Sequence, residues 1–299
     1  MAADTIHLFL NPTAGRGRAR RRRERIVELL TLGGLDVECH FSEARGHLET
    51  QVLQHVADGA NRVAVAGGDG SMHEAVNGIL RSGRRAALGV IPTGTGNDFA
   101  KACDISLNWE HATQLLADRI VSTVTPRKID AGLINERYYI NSVGIGFDAR
   151  VNHVARAIRL PIGDLVYLLA TLRTIVGGIA SPPVDITADD FSWQGPLTLA
   201  AINNGPWVGG LFHIAPMAKN TDGLMELLIA APVTRRRILT LLPKVMAGQH
   251  VQEDEITHHQ ITSLKIRADE PIPSHLDGEV QPLQSEFELT TLPAALDLL

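Results

Sequence analysis

The stretch VAVAGGDGSMHEAVNGIL, residues 63–80, constrains the fold of this chain more than any other. Val63 to Ala66 are uniformly small or branched and apolar, the pattern of a parallel strand covered on both faces. Gly67, Gly68 and Gly70 then permit backbone angles closed to other residues and let a second group approach the main chain. Ser71 is placed to cap a helix whose apolar positions, Met72, Ala75, Val76, Ile79 and Leu80, recur at helical spacing. A strand, a glycine turn and a helix start gather amide N–H groups at one spot, beside the positive end of the helix dipole. Such a spot suits a phosphate. A plain turn between strand and helix uses the same glycines, but Asp69 argues for a ligand, because a carboxylate beside an anion nest needs a metal or a donor.

The same alternation runs through the first third. TIHLFLN predicts a strand, RARRRRERIVELLTLGG a helix ended by Gly33 and Gly34, LDVECHFS a second strand, and HLETQVLQHVADG a second helix; Arg62–Ala66 and AALGVIP supply strands three and four. Repeated units of this kind imply a parallel sheet with helices on both faces and ligands at the carboxyl ends of the strands. Three turns that follow strands, NPTAGRG, GGDGS and PTGTGND, are therefore expected to line one crevice.

After Thr125 the texture changes. RKIDAGLINERYYINSVGIGFDA predicts a hairpin turning near Asn135–Glu136, and a helical segment follows from about Arg150 to Val176. VDITA, PLTLAAINNG, LMELLIA, HQITSLKIRA and EFELTTL then read as short strands without regular helices between them. A chain of 299 residues with 44% hydrophobic content has room for two cores, expected at 1–125 and 126–299, with the last residues returning to the first domain.

The formal net charge of −5 does not point to nucleic acid, although seven of the ten residues from Arg16 to Arg25 are arginine. Cys39 and Cys103 have no metal-like spacing, and no apolar leader opens the sequence, so a reducing cytoplasm is expected. Leu165–Ala180, the longest apolar stretch, is short for a membrane span and carries Arg173 in its middle.

Taken together, NPTAG at 11–15, GGDGS at 67–71, PTGTGNDFA at 92–100, DG at 222–223 and LDGE at 276–279 resemble the diacylglycerol-kinase catalytic family, and within it the bacterial YegS-like lipid kinases. GGDGS alone is weak, since phosphofructokinases and NAD kinases carry similar turns; PTGTGNDFA discriminates. Leu211 stands where the family usually has a glycine. The resemblance implies a Rossmann-like nucleotide domain of the phosphofructokinase and NAD-kinase type, then a mostly antiparallel β-sandwich that takes the lipid. It also implies an ATP- and Mg²⁺-dependent transfer to a lipid hydroxyl, with diacylglycerol or a related glycerolipid as acceptor.

By resemblance, Asn11, Ser42, Ala66, Gly67, Gly68, Asp69, Gly70, Ser71, Met72, Thr95 and Asn97 contact the nucleotide, and Asp98 faces the same cleft; a cap on the following helix is the plainer role for Asn97 and Asp98. Asp69 is the candidate for organising the catalytic Mg²⁺. A second, structural Mg²⁺ maps onto the Asp222 side chain and the carbonyls of Lys219 and Leu224, where the residues alone read as a turn. Glu279 maps onto the general base, with Asp277 helping to position it or a metal. Phosphoryl transfer needs these three parts: a phosphate cradle, a divalent metal and a base near the acceptor.

A lipid kinase must reach an interface. The arginine run at 16–25, Arg235–Arg237 and the segment from Leu160 to Ile179 are the candidates for reversible membrane contact. A homodimer is compatible with such a chain. The alternatives are a kinase of long-chain bases such as sphingosine, which shares the motifs, and a nucleotide- or lipid-binding protein without turnover, which the retained Asp69, Asp277 and Glu279 disfavour.

Overall fold

The computed structural model describes residues 5–158, 160 and 162–299, and the side chains of all of these except residues 14–16. Residues 159 and 161 of the expected helical segment, and the side chain of Arg16 in the arginine run, lie outside the described set. The chain divides into two compact units: the first ends at Asp130 and includes Ala294–Leu299, and the second is Ala131–Pro293.

In the first unit, β1 (Thr5–Leu10), α1 (Ala14–Leu32), β2 (Asp36–Phe41), α2 (His47–Ala57), β3 (Arg62–Gly67), α3 (Asp69–Arg81) and β4 (Ala87–Pro92) alternate strictly, followed by α4 (Asp98–Ala102) and α5 (Trp109–Val121). The strands are parallel in the order β2-β1-β3-β4. Side chains alternate across a strand. Leu8, Leu10, Ala64 and Ala66 accordingly pack with Ile26 and Leu30 of α1 and Leu116 of α5. Val63 and Val65 point to the other face and are also fully buried, as the uniformly apolar run requires. At the far edge Asp297 and Leu298 pair in parallel with Ala87 and Leu88, and the Asp130 carboxylate accepts a 2.7 Å bond from Ala294 N.

The second unit is a sandwich. β5 (Arg127–Ile134) enters it and forms a hairpin with β6 (Arg137–Tyr139) through Asn135, which has φ of 51°. β7 (Ser142–Gly146) follows, and then two helices, α6 (Phe147–Ala157) and α7 (Leu165–Gly177), where one segment was expected. β8 (Pro183–Ala188), β9 (Phe191–Pro196), β10 (Leu199–Asn203), β11 (Met225–Ala230), α8 (Arg235–Met246), β12 (Ile256–Ile261), β13 (Ser263–Ile272), β14 (Ser274–Leu276), β15 (Glu279–Val280) and β16 (Gln284–Leu298) complete it.

One sheet has the order β12-β11-β10-β7-β14-β15 and is antiparallel throughout. Its Val143, Ile145, Ala200, Ile202, Leu227 and Ile229 meet Ile186, Ile266, Phe287 and Leu289 of the opposing strands. Three expectations fail here. β9 was not foreseen, HQITSLKIRA is two strands rather than one, and α8 is a regular helix among strands. Pro243 inside α8 and three arginines at its start obscure the apolar series Ile238, Leu241, Leu242 and Val245.

Candidate active site

The chain leaves β1 for β2 on one side and returns to β3 on the other, so strand order reverses between β1 and β3. Open α/β sheets bind ligands at the carboxyl ends of strands at such a point. Asn11 leaves β1, Ser42 leaves β2, Gly67–Ser71 leave β3 and Thr93–Asn97 leave β4, all at that edge.

The turns after β3 and β4 touch. Thr93 N and Gly94 N donate to Gly67 O at 2.9 and 3.2 Å, and Gly94 N also donates to Asn97 Oδ1 at 3.0 Å. A Cβ built on Gly68 would meet Gly94 Cα at 3.0 Å, and one built on Gly67 would meet Ser71 Cβ at 2.4 Å. Close approach is thus the reason for these glycines. None of Gly67, Gly68 and Gly70 has positive φ, and Gly68 sits at −109°, which corrects the expectation of unusual backbone angles.

Ser71 is not the cap. Helix α3 begins at Asp69 with Gly68 in the cap position and no side-chain capping bond. The amides of Ser71 and Met72 both turn back to Gly68 O, at 2.9 and 3.1 Å. An anion at this helix start is therefore met by the amides at 68–70 rather than by those at 71 and 72. The side chains of Ala66 and Met72 are buried in the core, so only their main chain is at hand.

Asp69 Oδ1 accepts from Phe99 N at 3.1 Å, tying the first turn to the start of α4. Asn97, with φ of 50°, is the N-cap of α4, and its side chain closes on Gly94. Buried Asp98 takes Lys101 Nζ at 3.3 Å. Asn11 Oδ1 accepts from Thr13 N at 3.0 Å and from its hydroxyl at 2.7 Å. Ser42 is buried, its amide donating to Leu10 O at 3.0 Å. Thr95 is exposed, and Arg18 Nη2 donates to its Oγ1 at 3.1 Å. This contact of Arg18 with the turn after β4 was not foreseen, although Arg18 lies three residues after NPTAG. Other arginines of the run are spent on the protein itself: Arg22 lies over Trp109 at 4.9 Å, Arg23 over Phe41 at 5.3 Å, and Arg25 pairs with Glu28 at 2.8 Å.

In the second unit the LDGE turn joins β14 to β15. Asp277, buried and at φ of 49°, accepts from the amides of Ile140 at 3.1 Å, Asn141 at 2.8 Å and Ser142 at 3.0 Å. It holds the β6–β7 connection. Burial, and after it the Asp277 charge, push the Tyr139 phenol well above its ordinary range. Glu279 is half-buried and takes Arg156 Nη2 of α6 at 2.5 Å, and the same nitrogen reaches Gly278 O at 3.3 Å.

His275 Nδ1 accepts from Gly278 N at 3.2 Å, so its Nε2 carries the proton that faces Asp148 Oδ2 at 2.7 Å. Arg156, His275 and Asp148 shape this turn and were not foreseen; His275 directly precedes LDGE, whereas Arg156 and Asp148 lie more than a hundred positions away. The Oδ1 atoms of Asn141 and Asn203 are buried with no protein partner; Asn203 ends β10, and Asn141 directly precedes the adjoining β7. Lys219, Asp222 and Leu224 lie between β10 and β11, where Asp222 Oδ1 accepts from Leu224 N at 3.1 Å and Gly223 has φ of 78°. A carboxylate beside main-chain carbonyls is a donor set suited to a hard cation.

The outer face of the six-stranded sheet carries an apolar cleft. Leu199, Ala201, Leu228 and Ala230, which alternate with the sandwich-core residues of β10 and β11, form its floor; Phe147 and Val151 of α6 and Ile238 and Leu242 of α8 form walls. Its few polar lining side chains include Asp148, Thr171 and Thr198. No helix of the described residues is long and apolar enough to cross a membrane.

Comparison with known proteins assigns both units. The family model of the diacylglycerol kinase catalytic domain matches residues 5–129, and that of the YegS C-terminal NAD kinase beta sandwich-like domain matches residues 141–299. A diacylglycerol kinase of Bacillus subtilis is 27% identical over 91% of this chain and 88% of its own length. One from Mycobacterium tuberculosis is 29% identical over 98% and 94%. A solved diacylglycerol kinase of Bacillus anthracis is 20% identical and superimposes with a TM-score of 0.74, covering 100% of this chain and 97% of its own. A second solved Bacillus anthracis chain gives 0.82 at 24% identity. The glycine turns, the sandwich and these matches agree: the chain belongs to the family that joins a diacylglycerol kinase catalytic domain to a YegS C-terminal domain, and it is a kinase.

Proposed function

We propose that the protein transfers the γ-phosphoryl group of ATP to a hydroxyl of diacylglycerol or a related glycerolipid. The apolar cavity of the second unit carries the lipid part of this reading. A cleft floored by four aliphatic side chains and walled largely by apolar ones favours acyl chains over a sugar or a nucleoside. The relatives named as diacylglycerol kinases support the acceptor class.

In the proposed reaction the lipid hydroxyl oxygen bonds to the γ-phosphorus while the bond from phosphorus to the β,γ-bridging oxygen breaks and ADP leaves. The hydroxyl proton passes to Glu279. Asp277 is the poorer base, because its carboxylate is committed to three backbone amides. Arg156 occupies one oxygen of Glu279 and fixes its direction. The amides at 68–70 and Arg18 receive the phosphates. Mg²⁺, when bound, offsets charge on the phosphates, with Asp69 as its proposed carboxylate; a second Mg²⁺ would be held by Asp222 with the carbonyls of Lys219 and Leu224.

Contact with the bilayer is assigned to α7 and α8. Leu165, Leu172 and Val176 of α7 and Leu239 of α8 are exposed, and Arg173, Arg235 and Arg236 are exposed among them. Arginines close to an anionic surface contribute about 1 kcal/mol each. Arg237 drops out of the candidate run, since Glu253 and Glu255 hold it at 2.6 and 2.7 Å. The enzyme would then work from the cytoplasm and dock transiently.

The test is transfer from γ-labelled ATP to a panel of dispersed lipids that includes diacylglycerol and sphingosine. Label in phosphatidate is expected. Label only in a long-chain base, or in no lipid, would refute the reading.

A further inference from the structure

Three histidines that take no part in phosphoryl transfer converge on one face of the first unit. In the parallel register His7 of β1 lies opposite Glu38 of β2, and Phe9 lies opposite His40. Residues two apart share a face of a sheet, so His7, Phe9, Glu38 and His40 all point the same way. His55 of α2 reaches the same group: its ring centroid is 4.2 Å from that of His40 and 5.1 Å from that of His7. One ring nitrogen from each of the three histidines can be chosen so that all lie within 4.8 Å of one another. His7 Nδ1 is 3.3 Å from His40 Nε2 and 3.3 Å from Glu38 Oε2.

Those separations match a metal sphere. With Zn–N of about 2.0–2.1 Å, neighbouring ligands of a tetrahedral ion stand about 3.3–3.4 Å apart. The His55 nitrogen lies within 4.8 Å of the other two. All three rings are half-buried on regular elements, which fixes their directions. Imidazole ligates a metal through an unprotonated ring nitrogen, and each of the three rings can offer one to the cluster. Imidazoles select zinc-like dications, whereas Mg²⁺ prefers oxygen, so the cluster is chemically distinct from the proposed kinase metal sites.

We propose that His7, His40 and His55 form a site for a zinc-type dication. The ion would clip the edge strand β2 to β1 and α2, three elements otherwise joined by strand pairing and packing.

The experiment is calorimetric titration of tag-free, metal-stripped full chain with Zn²⁺, in excess Mg²⁺ and without nucleotide, alongside a visible spectrum with Co²⁺. One Zn²⁺ per chain and the intense bands of tetrahedral Co²⁺ are expected. Loss of an outer-shell partner commonly weakens metal binding 10–100-fold, so His40→Ala and His55→Ala should each weaken it by about 100-fold or more. If either variant fails to fold by circular dichroism, His40→Gln and His55→Gln serve for the same comparison. Absence of both heat and Co²⁺ bands in the parent protein, or equal affinity in folded variants, would overturn the site. Neither result bears on lipid phosphorylation.

Discussion

Gly94 and Gly68 meet backbone to backbone: a Cβ built on Gly94 would lie 2.4 Å from the Cα of Gly68. Main chain has no rotamer with which to move aside. Gly94→Ala should therefore separate the two turns, costing about 1–3 kcal/mol as overpacking does. ATP affinity should fall by about tenfold or more, equivalent to about 1.4 kcal/mol. Gly68→Val should weaken ATP binding with the fold largely kept. Denaturant unfolding and calorimetric titration with Mg²⁺ and ATP read both quantities. Unchanged affinity in folded variants would move the phosphate site away from these turns.

Asp277 is expected to matter first for stability. Asp277→Ala strips the amides of Ile140, Asn141 and Ser142 of their acceptor. A buried group left unsatisfied costs about 1–3 kcal/mol, so a loss of about 3 kcal/mol or more in urea unfolding is predicted. Asp277→Asn keeps one acceptor oxygen and should fall between. Parental stability in the alanine variant would contradict the structural role.

For Asp222 the prediction concerns metal linkage. A ligand that binds only the folded state raises its stability with concentration. Parent protein without nucleotide should gain several degrees in melting temperature at millimolar Mg²⁺, and Asp222→Ala should lose that gain. If the variant responds to Mg²⁺ as the parent does, the loop at 219–224 holds no structural ion.

Membrane docking is read by co-sedimentation with vesicles containing anionic lipid. Leu172→Glu combined with Val176→Glu places two charges on the exposed face of α7 and should reduce the bound fraction several-fold. Turnover on a lipid dispersed in detergent micelles should change much less. Equal binding by parent and variant would place the docking surface elsewhere.

Much of this was legible in the sequence because local pattern decided it. The run at 63–66 is apolar on both faces, and it is buried on both faces. The glycines at 67 and 68 announced a close approach, but what approaches is another turn: Gly94 lies 26 positions on, and no local rule names it as the partner. Ser71 was misjudged for a similar reason. Its amide is taken by Gly68 O, so the helix begins earlier than the nearest good capping residue. In the second unit α8 was hidden by Pro243 and its arginines, although its apolar spacing is helical. The amides on Asp277, Arg156 on Glu279 and Asp148 on His275 come from residues more than a hundred positions away, which local sequence pattern does not print.

Phosphoryl transfer to a lipid hydroxyl with Glu279 as the proton acceptor is read by single-turnover transfer from γ-labelled ATP to diacylglycerol by parent and Glu279→Gln. General-base catalysis contributes about 10²–10⁴-fold, so the variant should transfer that much more slowly with ATP affinity nearly unchanged. Asp69→Asn, measured beside it, should also shift the Mg²⁺ dependence. Transfer by Glu279→Gln within about threefold of the parent, well short of a general-base effect, would show that Glu279 is not the proton acceptor.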